Sequence, residues 1–254
     1  MPAPRNTLKA ALRAGTPQYG IWLNTGSAVL AELAGQAGFD WCLIDGEHGP
    51  NSVTELVPQL QALQSTDTQA IYRIAVPEPW LIKQVLDMGC QTVMAPTVDT
   101  PEQAQALADM MRYPPLGKRG LGAAVARATG YGTQTDYLDN ADDEVCLIVQ
   151  IESREAVGNI EVIAAIDGVD GLFIGPADLA ADMGYTRDPA HPDVQVVIHD
   201  ALKRIAATGK SAGFLTFDPS TAQTFTDLGV TLMGVGGDVA IFGAALRAAK
   251  AGIA

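Results

Sequence analysis

Eight short β-rich runs, each separated from the next by room for a helix, constrain this chain more than any other feature of its sequence. They are Tyr19–Leu23, Trp41–Ile44, Ala70–Ile74, Thr92–Ala95, Cys146–Ile151, Gly171–Ile174, Ala212–Thr216 and Thr231–Val235. Between them lie amphipathic stretches such as Ala28–Ala37, Glu102–Met111, Ala156–Ala165 and Val194–Ala207. Several helix-to-strand joins carry glycine, at Gly38, Gly89, Gly168, Gly209 and Gly229, the residue that ends a helix without a Cβ clash. This alternation, with no break in composition, predicts a single α/β domain over residues 1–254, a closed (β/α)8 TIM barrel. The length agrees, since such barrels take about 250 residues.

One interval breaks the rhythm. Tyr113–Glu144, between a helix and the fifth strand, is rich in Gly, Arg and Tyr, with its core at residues 117–132. Long irregular segments inside a domain are usually functional or disordered. This one is expected to be an ordered loop over the active-site mouth or at a subunit contact.

A net charge of −13 argues against nucleic acid and acidic membranes as partners. An anionic substrate would therefore need a local positive centre. Cys42, Cys90 and Cys146 are scattered, with no C-x-x-C pair, and read as buried reduced thiols of a cytoplasmic protein. No signal-like apolar segment opens the chain, and no run reaches the ~18 apolar residues of a membrane span.

In such a barrel the catalytic side chains sit where strands end and the following loops begin. Four segments then face one rim: Ile44–Gly49, Arg73, Gln150–Ser153 and Gly175–Asp178. Glu152 and Asp178, carboxylates on adjacent strand ends, suit a hard cation held by oxygen; the alternative is that each caps a helix or turn. Arg73, in an otherwise apolar strand, must be paired or line a polar cavity. It either forms a structural salt bridge to Glu152 or Asp45, or stabilises a developing enolate oxygen. His48, turned over the mouth by flanking glycines, suits a general base near neutral pH. His191 and His199 are expected to face solvent. No lysine projects from a strand toward the rim, so a Schiff-base mechanism is disfavoured and a metal would have to serve as the electron sink. Gly234–Asp238, after the last strand, would hold an anionic group or simply let the chain turn.

Taken together, Gly20–Leu23, Gly38–Trp41, Ile44–Gly49, Val149–Glu152 and Phe173–Leu179 resemble the class II pyruvate aldolases, of the 4-hydroxy-2-oxoheptanedioate and 2-keto-3-deoxy sugar acid type. The resemblance runs from about Gly20 to Gly237. It implies a lyase joining pyruvate or hydroxypyruvate to an aldehyde, with Glu152 and Asp178 binding Mg²⁺, Mn²⁺ or a similar ion. Gln150 and the backbone around Gly175, Pro176 and Ala177 would hold the carboxylate of the 2-oxo acid. Arg73 would stabilise the enolate, His48 would be the base, and Trp22 and Leu215 would line the aldehyde pocket. Asp87 aligns with an aspartate that raises the basicity of the histidine. It lies near a helix C-terminus, at the opposite end of its own barrel, a position that supply by a neighbouring subunit would explain. Members are typically homohexamers with an exchanged C-terminal helix, and the apolar stretch Val239–Ala254 is compatible with that. The alternative is a citrate-lyase-like or malyl-thioester lyase, but no basic cluster to hold coenzyme A phosphates is evident.

Overall fold

A strand of alternating side chains can bury one face inside a barrel and the other beneath a ring of helices. The computed structural model, which describes residues 1–253, shows this arrangement. Eight parallel strands close in sequence order: β1 (Gln18–Leu23), β2 (Trp41–Asp45), β3 (Gln69–Arg73), β4 (Thr92–Ala95), β5 (Cys146–Ile151), β6 (Val169–Ile174), β7 (Ser211–Leu215) and β8 (Val230–Gly237). The inward set includes Trp22, Trp41, Leu43, Ile71, Met94, Ile148 and Phe173. The outward set, among them Ile21, Leu23, Cys42, Ile44, Val93 and Val149, joins the helices in a second apolar layer. All three cysteines are free and buried, and burial pushes the Cys42 and Cys90 thiols up to about 12, which leaves them unreactive.

The helices follow the amphipathic stretches closely, at Ala28–Gln36, Pro101–Met111 and Pro192–Ala207. The stretch expected over Ala156–Ala165 is instead two short helices, Arg154–Gly158 and Ile160–Ala164, divided at Asn159, whose amide donates to the Asp99 carbonyl at 2.7 Å. The five helix-to-strand glycines all take positive φ, between 78° at Gly209 and 101° at Gly168. At the N-terminal end of the strands, the helix Thr7–Arg13 inserts Leu8 and Leu12 into the inner layer. Its Lys9 ammonium donates to the carbonyl of Val145 just ahead of β5. This end of the barrel is therefore plugged, and the opposite end is open.

The long Tyr113–Glu144 interval does not cover the mouth. Arg127 donates to the Met88 carbonyl at 2.8 Å and the Gln64 side chain at 3.3 Å, and Arg119 pairs with Asp87 at 2.7 Å. All three partners lie at helix C-termini, on the plugged face. The reason is topological: a segment leading from a helix into a strand comes out at the strands' N-terminal end, away from the catalytic loops. The C-terminal helix Asp238–Ala251 starts at the open end. Its Asp238 carboxylate accepts from the Asn24 amide at 2.9 Å and from the Thr25 amide and hydroxyl at 3.2 and 2.6 Å. Beyond that anchor, Val239, Ile241, Phe242 and Leu246 are all more than half exposed. Among the described residues, no helix is long and apolar enough to cross a membrane.

Candidate active site

The charge network at the open end starts from strand register. Asp45 and Arg73 are direct partners at the ends of β2 and β3. Arg73 donates from Nε to Asp45 Oδ1 at 2.8 Å and from Nη2 to Oδ2 at 2.7 Å, a bidentate pair. The backbone amides of Glu47 and His48 donate to Oδ1 at 3.1 and 3.3 Å, and the Asn24 side chain donates to Oδ2 at 2.6 Å. Burial alone would raise the Asp45 pKa, but the hydrogen bonds and charge of Arg73 outweigh it and hold the carboxyl below its ordinary range. Arg73 thus makes the salt bridge to Asp45 that the sequence left open, and its remaining nitrogen still faces the mouth. That Nη1 lies 2.8 Å from Glu47 Oε2 and donates to Gln150 Oε1 at 3.3 Å.

Gln150 links the cation to the acidic side of the site, its Nε2 donating to Glu152 Oε2 at 3.1 Å. The other oxygen, Glu152 Oε1, accepts from the Thr97 amide at 2.6 Å. Thr97 has a φ of 51°, unusual for a non-glycine residue, and this conformation aims its N–H at the carboxylate. A Cβ on Gly175 would sit 2.3 Å from Glu152 Oε2, so glycine is what leaves that carboxylate its place. Burial pushes Glu152 up to about 7, helped by the negative charges of Asp178 and Glu47 and opposed by the Thr97 amide and Arg73. Among the described residues, no group of three or more His, Cys, Asp or Glu side chains forms a metal cage. A buried carboxylate with a second carboxylate, Asp178, close enough to raise it further fits a divalent cation whose other positions go to substrate oxygens and water.

Asp45, Arg73, Gln150 and Asp178 border a cavity of about 980 Å³, whose lining also includes Trp22, His48, Gly175–Ala177 and Leu215. His48 is 67% exposed at its side chain, with Nε2 3.7 Å from Glu47 Oε2. Trp22 packs edge-on to Trp41 at 5.4 Å and tilted against Phe173 at 5.5 Å. Gly234–Gly237 belong to β8 rather than following it, and a Cβ on Gly234 would lie 2.6 Å from Trp22 and 3.0 Å from Leu215, so this strand glycine makes room for the cavity wall. Arg73 is the one cation in this lining among the described residues. No lysine reaches it: Lys9 and Lys210 bond carbonyls at the plugged end, and Lys118 pairs with Asp109 at 2.7 Å.

Of the residues singled out in the sequence, Trp22, His48, Arg73, Gln150, Glu152, Gly175, Pro176, Ala177, Asp178 and Leu215 come together here. Asp87 does not. It ends the helix Pro79–Asp87 on the plugged face, paired with the fully buried Arg119, whose guanidinium stacks on Tyr113 at 4.3 Å. His191 and His199 are half-buried rather than solvent-facing. His191 stacks on Tyr185 at 3.9 Å and accepts the Asp193 amide to cap a helix, and His199 lies 6.1 Å from Phe225. Sequence reasoning assigned no role to Glu47, which joins Arg73 to His48, nor to Asn24 and Thr97. Only Glu47 carried a signal, two residues past the end of β2 beside His48.

Comparison with known proteins agrees with this geometry. The chain is 51% identical to a hydroxypyruvate/pyruvate aldolase of Agrobacterium fabrum over 99% of its own length and 94% of that protein's. It is 47% identical to a 2-keto-3-deoxy-L-rhamnonate aldolase of Klebsiella pneumoniae, covering 95% of this chain and 90% of the other. Among solved structures, an HpcH/HpaI aldolase/citrate lyase family protein from Burkholderia cenocepacia superposes with a TM-score of 0.94 at 38% identity, over 98% of this chain and 99% of that one. The citrate lyase beta subunit of M. tuberculosis, at a TM-score of 0.60 and 18% identity over 89% and 93% of the two chains, shares the fold. With the family pattern matching residues 18–245, the chain belongs to the HpcH/HpaI aldolase/citrate lyase family.

Proposed function

We propose that the barrel mouth catalyses reversible aldol cleavage and addition between the enolate of pyruvate or hydroxypyruvate and an aldehyde. The chain is a carbon–carbon lyase, an aldolase of the metal-dependent class. The observation that carries this reading is the bridge of Gln150 between one fixed guanidinium, Arg73, and the buried carboxylate Glu152, at the edge of a cavity that no lysine enters. Glu152 and Asp178 would hold Mg²⁺ or Mn²⁺, which when bound polarises the ketone of the 2-oxo acid as a Lewis acid.

The rest falls to the chain's own groups. The helix Pro176–Asp182 begins without a side-chain cap at Gly175, leaving the amides of its first turn open to the substrate carboxylate beside Gln150. Arg73, locked by Asp45, presents positive charge to the developing enolate oxygen without having to reorganise. His48 takes a proton from C3 of the 2-oxo acid in the addition direction, and from the hydroxyl of the adduct in cleavage. Trp22 and Leu215 bound the space for the aldehyde. Asp87, remote from His48 in its own chain, would act on the histidine of a neighbouring subunit. That role requires a homo-oligomer, by resemblance a hexamer with the C-terminal helix exchanged, and the uncovered apolar face of that helix supports assembly. A cytoplasmic location fits the three free thiols. A thioester substrate is disfavoured, because among the described residues no lysine, and no arginine besides Arg73, lines the cavity.

Deuterium exchange into the pyruvate methyl group, followed by NMR, tests this directly because it needs no aldehyde. Exchange is expected with added Mn²⁺ or Mg²⁺, and to drop at least ~100-fold in Glu152→Gln and Asp178→Asn. Near-normal exchange in either variant, or borohydride trapping of pyruvate on a lysine, would overturn the assignment.

A further inference from the structure

Beyond the charge network, the cavity is lined by Thr216, Phe217, Asp218 and Thr221, which follow β7, and by Pro189, Ala190 and Gln195. Of these, among the described residues, only Asp218 carries a charge. Its Oδ1 accepts from the amide and hydroxyl of Ser220 at 3.0 and 2.7 Å, which fixes the carboxylate at the start of a short 3-10 turn. Its Oδ2 receives no hydrogen bond from the described residues, and Asp218 makes no ion pair among them. The single cation of the lining, Arg73, already serves Asp45, Glu47 and Gln150 at the base of the site.

An aldehyde entering this cavity therefore extends its far end toward a fixed negative charge. We propose that Asp218 is a specificity-determining residue, selecting acceptor aldehydes that carry hydroxyl groups over those that carry a carboxylate. A hydroxyl can donate to the open Oδ2. A carboxylate meets like charge with no counter-cation, in a chain whose net charge is already −13. The hydrogen bonds from Ser220 hold the Asp218 carboxyl below its ordinary range, so the charge persists across the neutral region. Asp218 and Phe217 are exposed at the mouth, so solvent and salt screen this charge, and its effect is a preference between acceptors rather than an absolute bar.

This inference rests on the aldolase reading, and the experiment separates the two. With pyruvate as donor, kcat/KM is measured for glyceraldehyde and for succinic semialdehyde in the wild type, Asp218→Asn and Asp218→Lys. Intrinsic reactivity and hydration of each aldehyde cancel when the succinic semialdehyde/glyceraldehyde ratio is compared between variants. The ratio is expected to rise about tenfold in Asp218→Asn and about 100-fold in Asp218→Lys. Raising salt from about 0.05 M to about 0.5 M should raise the wild-type ratio more than that of Asp218→Asn, in which only the field of the remaining net charge is left to screen. A merely structural role would lower both aldehydes together and leave the ratio where it was. A ratio within about twofold of wild type in both variants overturns the proposal. Absence of metal-dependent deuterium exchange into pyruvate in the wild type would instead overturn the aldolase reading, and this inference with it.

Discussion

At the scale of single residues, the site sets two buried carboxyl groups against each other. Asp45 is wholly buried yet stays ionised, because Arg73 and three further donors meet its two oxygens. Glu152 is buried among acidic neighbours, and burial first, then Asp178 and Glu47, push it up to about 7. Its folded pKa thus lies above its ordinary value of 4.5, so the metal-free fold takes up a proton that the unfolded chain releases as pH rises from 4.5 to about 7. The stability contributed by that protonation is full below the unfolded value and is lost as pH climbs through the folded one. A cation competes for the same oxygens, so Mn²⁺ should bind the metal-free enzyme about tenfold more weakly at pH 6 than at pH 8. Calorimetric titration at the two pH values checks this, and equal affinities would contradict it. Arg73, Glu152 and His48 were legible because a charged side chain in or beside an apolar strand end demands an explanation. Thr97 was not legible. Its contribution is a backbone N–H aimed by a positive φ, and nothing in a threonine's side chain announces that.

At the scale of elements, the strands and most helices could be read from periodicity, because each buries a defined face. Three strand glycines serve the barrel interior in a way periodicity does not reveal. A Cβ on Gly20 would stand 2.0 Å from Trp41 Cδ2, one on Gly213 2.3 Å from Phe173 Cδ2, and one on Gly234 2.6 Å from Trp22 Cζ3. Each glycine leaves space for an aromatic side chain, and those rings are the floor on which the cavity rests. Gly20→Ala is therefore expected to destabilise the fold by about 3 kcal/mol, since Trp41 is fully buried and cannot yield. Urea unfolding gives the measurement, and an unchanged midpoint would show that the barrel can absorb the methyl group. Of the two positions expected for Tyr113–Glu144, over the mouth or at a subunit contact, the first is excluded. The segment's composition suggested function, whereas its position, after a helix and before a strand, commits it to the plugged face whatever its composition.

At the scale of the whole molecule, one chain is an unfinished surface. The helix Asp238–Ala251 leaves Ile241, Phe242 and Leu246 more than half exposed, and Asp87 sits on the face opposite His48. Both facts meet in the assembly proposed above. The double variant Ile241→Asp, Phe242→Asp is expected to dissociate the oligomer while the barrel stays folded, as read by light scattering and circular dichroism. Aldol turnover should fall with it if a neighbour supplies Asp87. A variant that remains fully assembled would remove the helix from the interface.

By itself the sequence determined the closed barrel, the rim that carries the chemistry and most of the side chains that gather there. Those features follow from local periodicity and from the rule that strand ends face one opening, and both act on stretches a few residues long. Tertiary structure alone decided that Asp45 and Arg73 meet in register, that Glu47 joins the cation to the histidine, and that Asp218 lines the same cavity as Arg73. Such relations depend on the stagger of strands around the barrel and on which loop leans over which. They join residues far apart in the chain, and no local pattern encodes them.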